Sequence, residues 1–257
     1  MNDIQHHIKC GKGDVARFVL LPGDPARAEI IAGHFDEAKK IAHNREFVTF
    51  TGKTNDVPVS VTSTGIGCPS LAIAVEELVR CGADTFIRVG TGGALQPDIA
   101  PGDFVVATGS IRDEGTSRAY IPIEFPAVAD VDVVSALACS GKNKGRKIHR
   151  GIIHSKDSFY GQKEPDRMPI AEELRSRYFA WSAGGALLSE MESAALFILA
   201  SILRVRASSI CLVASNKWMK LRLKEGNEIS TAMDDMIDCA LAVVRLLDKE
   251  VQSRSTI

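Results

Sequence analysis

The most restrictive feature of this chain is a set of short runs with no polar face. "RFVLLP" (17–22), "VPVSVTS" (57–63), "DTFIRVG" (84–90), "DFVVATG" (103–109), "GIIHS" (151–155) and "ASSICLVAS" (207–215) read as strands. A strand wetted on one side alternates apolar and polar residues, whereas several of these are too uniformly apolar for that and must be central. The segments between them have helical character. Asp24-Pro25 offers an N-cap and an N1 proline to a helix reaching about Phe35, and Pro69 opens a second that Gly82 closes. "VDVVSALACSG", "ESAALFILASIL" and "EGNEISTAMDDMIDCALAVVRLLDKEV" supply further helices. The pattern predicts an α/β fold with helices on both faces of a parallel or mixed sheet. With 257 residues, 45% of them apolar, the chain can bury one large core, so residues 1–257 are expected to form one domain.

Charge and length exclude other classes. The formal net charge is -1, so no overall basic field recruits nucleic acid or a membrane surface. No apolar span approaches the roughly 18 residues needed to cross a bilayer, and "MNDIQHHIKCGKG" lacks a signal-peptide core; a cytoplasmic protein is expected. Cysteines 10, 68, 81, 139, 211 and 239 include no C-x-x-C pair, which fits reduced, mostly buried thiols.

Two nucleotide motifs fail on inspection. "GTGGAL" (90–95) follows a strand, but Leu95 stands at the last glycine position of G-x-G-x-x-G. "GKT" (52–54) resembles the end of a P-loop, yet Phe47 occupies the place of its first glycine. Neither H-E-x-x-H nor G-x-S-x-G occurs, so zinc-protease and α/β-hydrolase chemistry lack their anchors.

What remains is a group of loops rich in glycine, hydroxyls and arginine: "PGDPAR" (22–27), "STGIGCPS" (63–70) and "RVGTGG" (88–93). Converged, they would offer backbone N–H groups, hydroxyls and guanidinium forks to an oxyanion. Each alone reads first as an ordinary turn, with Arg27 on a solvated helix face. Arg88 is different. It lies inside an apolar strand, where an unpaired guanidinium is costly, so it needs an anion. In "LLSEMESAALFILA" (187–200), Ser189 and Glu192 read as a capping box opening an apolar helix. Glu190 and Glu192, two apart on a helix, would point to different sides. A carboxylate beside arginines would equally suit sugar hydroxyls.

"PGDPAR", "HNREF", "STGIGCPS", "EFPAVAD", "KDSFYGQ" and "EMESA" occur in the order seen in the trimeric or hexameric purine/uridine family of nucleoside phosphorylases. The chain resembles that family from about Ile8 to its last helix. The resemblance implies one α/β domain around a mixed, partly barrel-like sheet. It also implies reversible phosphorolysis of a nucleoside to free base and α-pentose-1-phosphate, with inorganic phosphate as co-substrate and no cofactor. By resemblance, Gly23, Arg27, Arg88 and Thr91 bind phosphate, and Arg45 is the arginine a neighbouring subunit supplies. Met191 and Glu192 match the ribose contacts, and His7 the histidine that reaches the 5′-hydroxyl across a dimer. Phe159 and Gln162 match the base-stacking and base-reading residues. Arg27, Arg88 and Glu192 then carry catalysis by stabilising charge on nucleophile and sugar. Glu46, Ile66 and Ser70 match a monovalent-cation (potassium) site at the dimer interface. The implied assembly is a homohexamer of three dimers.

The base end departs from the family. "GQKEPDR" puts Glu164 where the family's Gln-x-Arg has its arginine, leaving Arg167 as the nearest candidate cation and Lys217 as the second. Purine-specific members carry Ser-Asp after the strand at 207–215, but here the residues are Ser215-Asn216-Lys217. Asn216 can donate a hydrogen bond to a base but cannot deliver a proton, so a pyrimidine nucleoside, uridine first, is expected over purines. "WMKLRLKEGNE" (218–228) is either a solvated face or a closing lid. Two rivals remain: a nucleosidase using water, which would not need the arginine set, and a nucleoside-binding protein without turnover.

Overall fold

The computed structural model describes residues 4–142, 145–223 and 226–254. In chain order the elements are β1 (Phe18–Leu21), α1 (Pro25–Ala32), β2 (Asp36–Asn44), β3 (Phe47–Thr54), β4 (Val57–Thr62), α2 (Cys68–Cys81), β5 (Thr85–Ala94) and β6 (Phe104–Asp113). There follow α3 (Thr116–Tyr120), β7 (Ala127–Val128), α4 (Val131–Lys142), β8 (Ile148–Lys156), α5 (Phe159–Lys163), α6 (Ala171–Ala183), β9 (Leu188–Glu190), α7 (Ser193–Leu203), β10 (Arg206–Asn216), β11 (Leu221–Arg222) and α8 (Asn227–Arg254).

Among the described residues, eleven strands join one mixed sheet in the order β11-β10-β6-β8-β9-β5-β1-β4-β3-β2, with β7 on β6. A further pairing of β10 with β5 closes β10, β6, β8, β9 and β5 into a ring. Helices cover both faces, which explains the apolar runs. In β1, Phe18 and Leu20 face the cluster under α1, α4 and α8, while Val19 and Leu21 face the cluster under α2 and α7. All four are at most 1% exposed, and burying each such side chain is worth about 1.5–3 kcal/mol. No described helix is long and apolar enough to cross a membrane.

The predicted helix starts hold. Asp24 accepts from Ala26 N at 2.9 Å ahead of Pro25, and Gly82 ends α2 in the left-handed conformation at φ 111°. Helix α1 stops at Ala32 instead of running to about Phe35, because Gly33 caps it and the chain enters β2 at Asp36.

Three expectations are corrected. "GTGG" is not a loop: β5 continues through it to Ala94, and a Cβ at Gly92 would collide with Leu188 at 2.4 Å, so glycine there admits close packing. Ser189 is not an N-cap. It belongs to β9, α7 starts at Ser193, and the carboxylate that receives the Glu192 and Ser193 N–H groups is that of Glu190. Glu190 and Glu192 therefore do not sit on a helix face; they flank a short non-helical corner.

Candidate active site

Parallel pairing of β5, β1 and β4 brings the carboxyl ends of β1 and β4 together beside the middle of β5. Thr64 N donates to the Pro22 carbonyl at 2.9 Å, and a Cβ at Gly23 would meet the Gly65 carbonyl at 3.0 Å. Arg27 leaves the first turn of α1 and its Nη1 reaches the Val89 carbonyl at 3.5 Å. All three glycine-rich segments thus converge, and Arg27, half-buried, is not on a solvated face.

Arg88 is 4% exposed. Its Nε donates to Glu190 Oε2 at 2.9 Å and its Nη2 to Glu192 Oε2. The anion demanded by the sequence is thus supplied first by the chain itself. The bend from β9 into α7 at Met191 and Glu192 turns both carboxylates toward Arg88, the reverse of the helical expectation. Burial works against the Arg88 guanidinium, but Glu192 and Glu190 outweigh it and raise its pKa. Burial likewise opposes the Glu190 anion, yet Arg88 and the hydrogen bonds from Ser155, Ser193 and Glu192 hold that carboxyl below its usual range. Glu190 is saturated by these contacts. Glu192 accepts from Gly67 N at 2.6 Å and from Arg88, which leaves lone pairs for other donors. Burial pushes its pKa up.

Arg88 Nη1 is buried without a hydrogen-bond partner among the described residues. Burial first, and then the Arg88 charge, lower the Arg27 pKa. Two guanidiniums that repel each other, one with an orphaned N–H, form a site for an anion. Thr91 lies two residues beyond Val89 on β5 and is half-buried, as is Met191 beside Glu192. Arg45 is exposed at φ 55° in the two-residue turn between β2 and β3. His7 is tied to α2: Glu77 accepts from its backbone N–H at 2.9 Å and lies 2.7 Å from Nδ1. Ser70 donates to Glu46 at 2.7 Å, and Ile66 next to them is 79% exposed.

At the base end, Phe159 is 50% exposed and opens α5, which Ser158 caps through Gly161 N. Gln162, from the same helix, lies 2.9 Å from Ser189. Two expected base contacts are not brought there. Arg167 is exposed, pairs with Glu164 at 2.6 Å and lies over the Tyr160 ring. Asn216 is 1% exposed, and its amide is committed: Nδ2 donates to the Gln96 and Ile99 carbonyls at 2.9 and 2.7 Å, while Oδ1 accepts from Trp218 and Met219. It is a structural post. Lys217 lies over the Tyr178 ring at 4.8 Å. In the 218–228 segment, Lys224 and Glu225 lie outside the described residues.

Residues the sequence reading passed over stand beside Gln162. His154 and Lys156, two apart on β8, both reach Ser189 Oγ, at 3.1 and 2.8 Å. They line a cavity of about 230 Å³ with Gln162, Asp113, Tyr178 and Trp181. The available signal was "HSKDS": polar residues at period two on the carboxyl end of an apolar strand. A larger cavity of about 750 Å³, lined by Asn55, Pro58, Cys139 and Arg245, contains none of these residues.

Fold and site together define an α/β enzyme in which two arginines face one another where an anion would fit, with a carboxylate and a small polar cavity beside them. Residues 17–249 match the model of the phosphorylase superfamily. The chain is 48% identical over 245 residues to a uridine phosphorylase of Treponema pallidum, covering 95% of each protein. It is 48% identical to a uridine phosphorylase of Thermococcus kodakarensis, over 83% of this chain and 78% of that one. It is 40% identical to a guanosine phosphorylase of Halorubrum lacusprofundi, over 90% and 89%. The chain belongs to the phosphorylase superfamily, and with it to the pentosyl-transferring enzymes that cleave nucleosides with phosphate.

Proposed function

We propose that uridine is the nucleoside this enzyme cleaves, giving uracil and α-ribose-1-phosphate. The observation that carries the phosphate half is the Arg27–Arg88 pair with its orphaned Arg88 Nη1. Phosphate seated on Gly23, Arg27, Arg88 and Thr91 attacks C1′, and Arg45 of a neighbouring copy completes the charge. Glu192, with lone pairs free, holds the ribose hydroxyls beside Met191, and His7 of a neighbouring copy reaches the 5′-hydroxyl. The sugar develops oxocarbenium character that Glu192 stabilises, while the fixed guanidiniums pre-organise the nucleophile. Phe159 stacks on the base and Gln162 reads it. The uridine reading is supported by the names of the Treponema and Thermococcus relatives.

Arg45 is exposed in the β2–β3 turn and His7 is held by Glu77 on α2, and among the described residues neither bonds to Arg27, Arg88 or Glu192, which supports a dimeric active unit within a hexamer of three dimers. Glu46, Ser70 and the Ile66 carbonyl are oxygen donors and fit a hard monovalent cation such as potassium, which would fasten the β2–β3 turn to the loop after β4. Six cysteines that form no disulfide among the described residues, five of them buried, support a reducing, cytoplasmic setting. The whole of 1–257 acts as one domain.

The test is product analysis with and without phosphate. Uracil and ribose-1-phosphate are expected only when phosphate is present, and Arg27→Ala is expected to lower turnover by about 10²–10³. Arg27 is the cleaner choice, because removing Arg88 would strand two buried carboxylates at a cost of about 3–5 kcal/mol. Uracil release at the same rate without phosphate would overturn the reading in favour of a hydrolase.

A further inference from the structure

The group that neutralises the departing base remains to be found, since Arg167 is paired with Glu164, and Lys217, though it lines the cavity, lies over the Tyr178 ring. We propose that Lys156 is that group: its Nζ donates to a carbonyl oxygen of the base while the Gln162 carbonyl accepts the adjacent ring N–H. This rests on the phosphorolytic reading above.

The geometry comes from hydrogen-bond arithmetic around Ser189. Asp113 is ion-paired with Arg177 and lies 3.0 Å from His154 Nε2, so that nitrogen carries the proton and donates. Nδ1 of the neutral ring is then a lone pair, and the Ser189 hydroxyl, 3.1 Å away, spends its one proton on it. Ser189 Oγ can only accept from its other two neighbours. One is Lys156 Nζ at 2.8 Å; the other is Gln162, whose Oε1 is placed 2.9 Å away as acceptor of the Ser189 hydroxyl, but with that proton spent on His154 the carboxamide turns over and presents its NH₂ side to Ser189. The Gln162 carbonyl is left for a ligand.

Lys156 is also left with a proton to give. It is 8% exposed, and its three N–H groups meet two acceptors, Ser189 Oγ and the Glu190 carbonyl, the latter at 3.5 Å. Among the described residues no carboxylate pairs with it. The cavity it lines, about 230 Å³, is below the roughly 300–1,000 Å³ of sites for larger ligands and suits one flat ring. A donor beside an acceptor matches the –CO–NH– edge shared by uracil, hypoxanthine and guanine, and mismatches the –C(NH₂)=N– edge of cytosine and adenine. In the reaction a phosphate oxygen bonds to C1′ as the C1′–N bond breaks. Its electron pair passes into the base and onto the carbonyl that Lys156 holds; the base takes its proton from water after release.

Burial lowers the Lys156 pKa to about 8, with Glu190 and Glu192 partly restoring it. The other charged groups around the cavity are accounted for: His154 is neutral, Asp113 is paired with Arg177, Asp157 caps Gly115 N, Arg175 is paired with Asp166, and Lys217 lies over Tyr178. Uridine cleavage is therefore expected to weaken as pH rises through about 8.

The experiment compares the wild type with Lys156→Met, Lys156→Arg and Arg167→Ala on uridine and cytidine with phosphate from pH 6 to 10, with thermal melts. Lys156→Met, which replaces a buried charge with a chain of similar length, is expected to keep its Tm and to lose about 10²–10³ in kcat with a smaller change in KM. Its preference for uridine over cytidine should narrow, and the limb near pH 8 should vanish. Lys156→Arg is expected to move that limb upward, which a merely structural lysine would not do, and Arg167→Ala should retain activity within about threefold. The proposal is overturned if Lys156→Met keeps wild-type kcat and the limb, or if Lys156→Arg leaves the limb in place. It is also overturned if Arg167→Ala shows the loss instead. If the wild type releases no base from any nucleoside with phosphate, it is the phosphorolytic reading that fails.

Discussion

His154 is buried beside Lys156, and burial first, then that ammonium, push its pKa down to about 4. The unfolded chain would titrate this imidazole near 6.5, so between those values the unfolded state binds a proton that the folded state refuses. The contribution is fully present above pH 6.5 and is lost as pH falls toward about 4. It amounts to at most about 3 kcal/mol. Urea titrations at several pH values are expected to show the stability gap between wild type and His154→Gln shift toward the variant by that order on acidification. An unchanged gap would show that folding leaves the His154 pKa where the unfolded chain has it. At this scale the sequence disclosed Arg88, because a guanidinium in an apolar strand is anomalous on its face. It did not disclose that Glu190 and Glu192 share it, since that depends on a non-helical bend at 191–192, which the helix-like composition of "EMESAALFILA" conceals.

The elements most visible in the sequence are those buried on both sides. All six apolar runs are strands of the sheet, within a few residues at their ends. The β2–β3 hairpin was not visible: "DEAKKIAHN" has no apolar face, and its first five residues are exposed. Nor was α6, none of whose side chains is buried. Tertiary context builds both. The end of β10 shows the same limit in a single residue, because Asn216 reads as a base contact in the sequence but in the fold ties the 96–99 segment to the turn at 217–219. Asn216→Asp removes two N–H donations and sets a carboxylate against two carbonyls. A loss of about 1–3 kcal/mol is expected in denaturant melts, with no gain in inosine cleavage. A stable variant that cleaves inosine faster would return Asn216 to the base pocket.

At the scale of the whole molecule, the site as proposed is shared between copies. Sedimentation at assay concentrations is expected to find the activity in a dimer or larger, and mixing inactive Arg45→Ala with inactive Arg27→Ala subunits should restore part of the activity through hybrid dimers. A fully active monomer would refute this. The way copies can meet is constrained by the sheet itself. Ring closure leaves the long β2 at one end of the strand order, whereas the other end is the two-residue β11. An open edge invites any other extended chain to add on, and β2 meets that hazard with Asp36, Glu37, Lys39 and Lys40 in succession and with breaks in its register against β3. Such an edge resists both aggregation and sheet extension. In the proposed assembly copies would then meet through side chains and turns, and crowding the protein at high concentration should yield discrete assemblies in place of fibres.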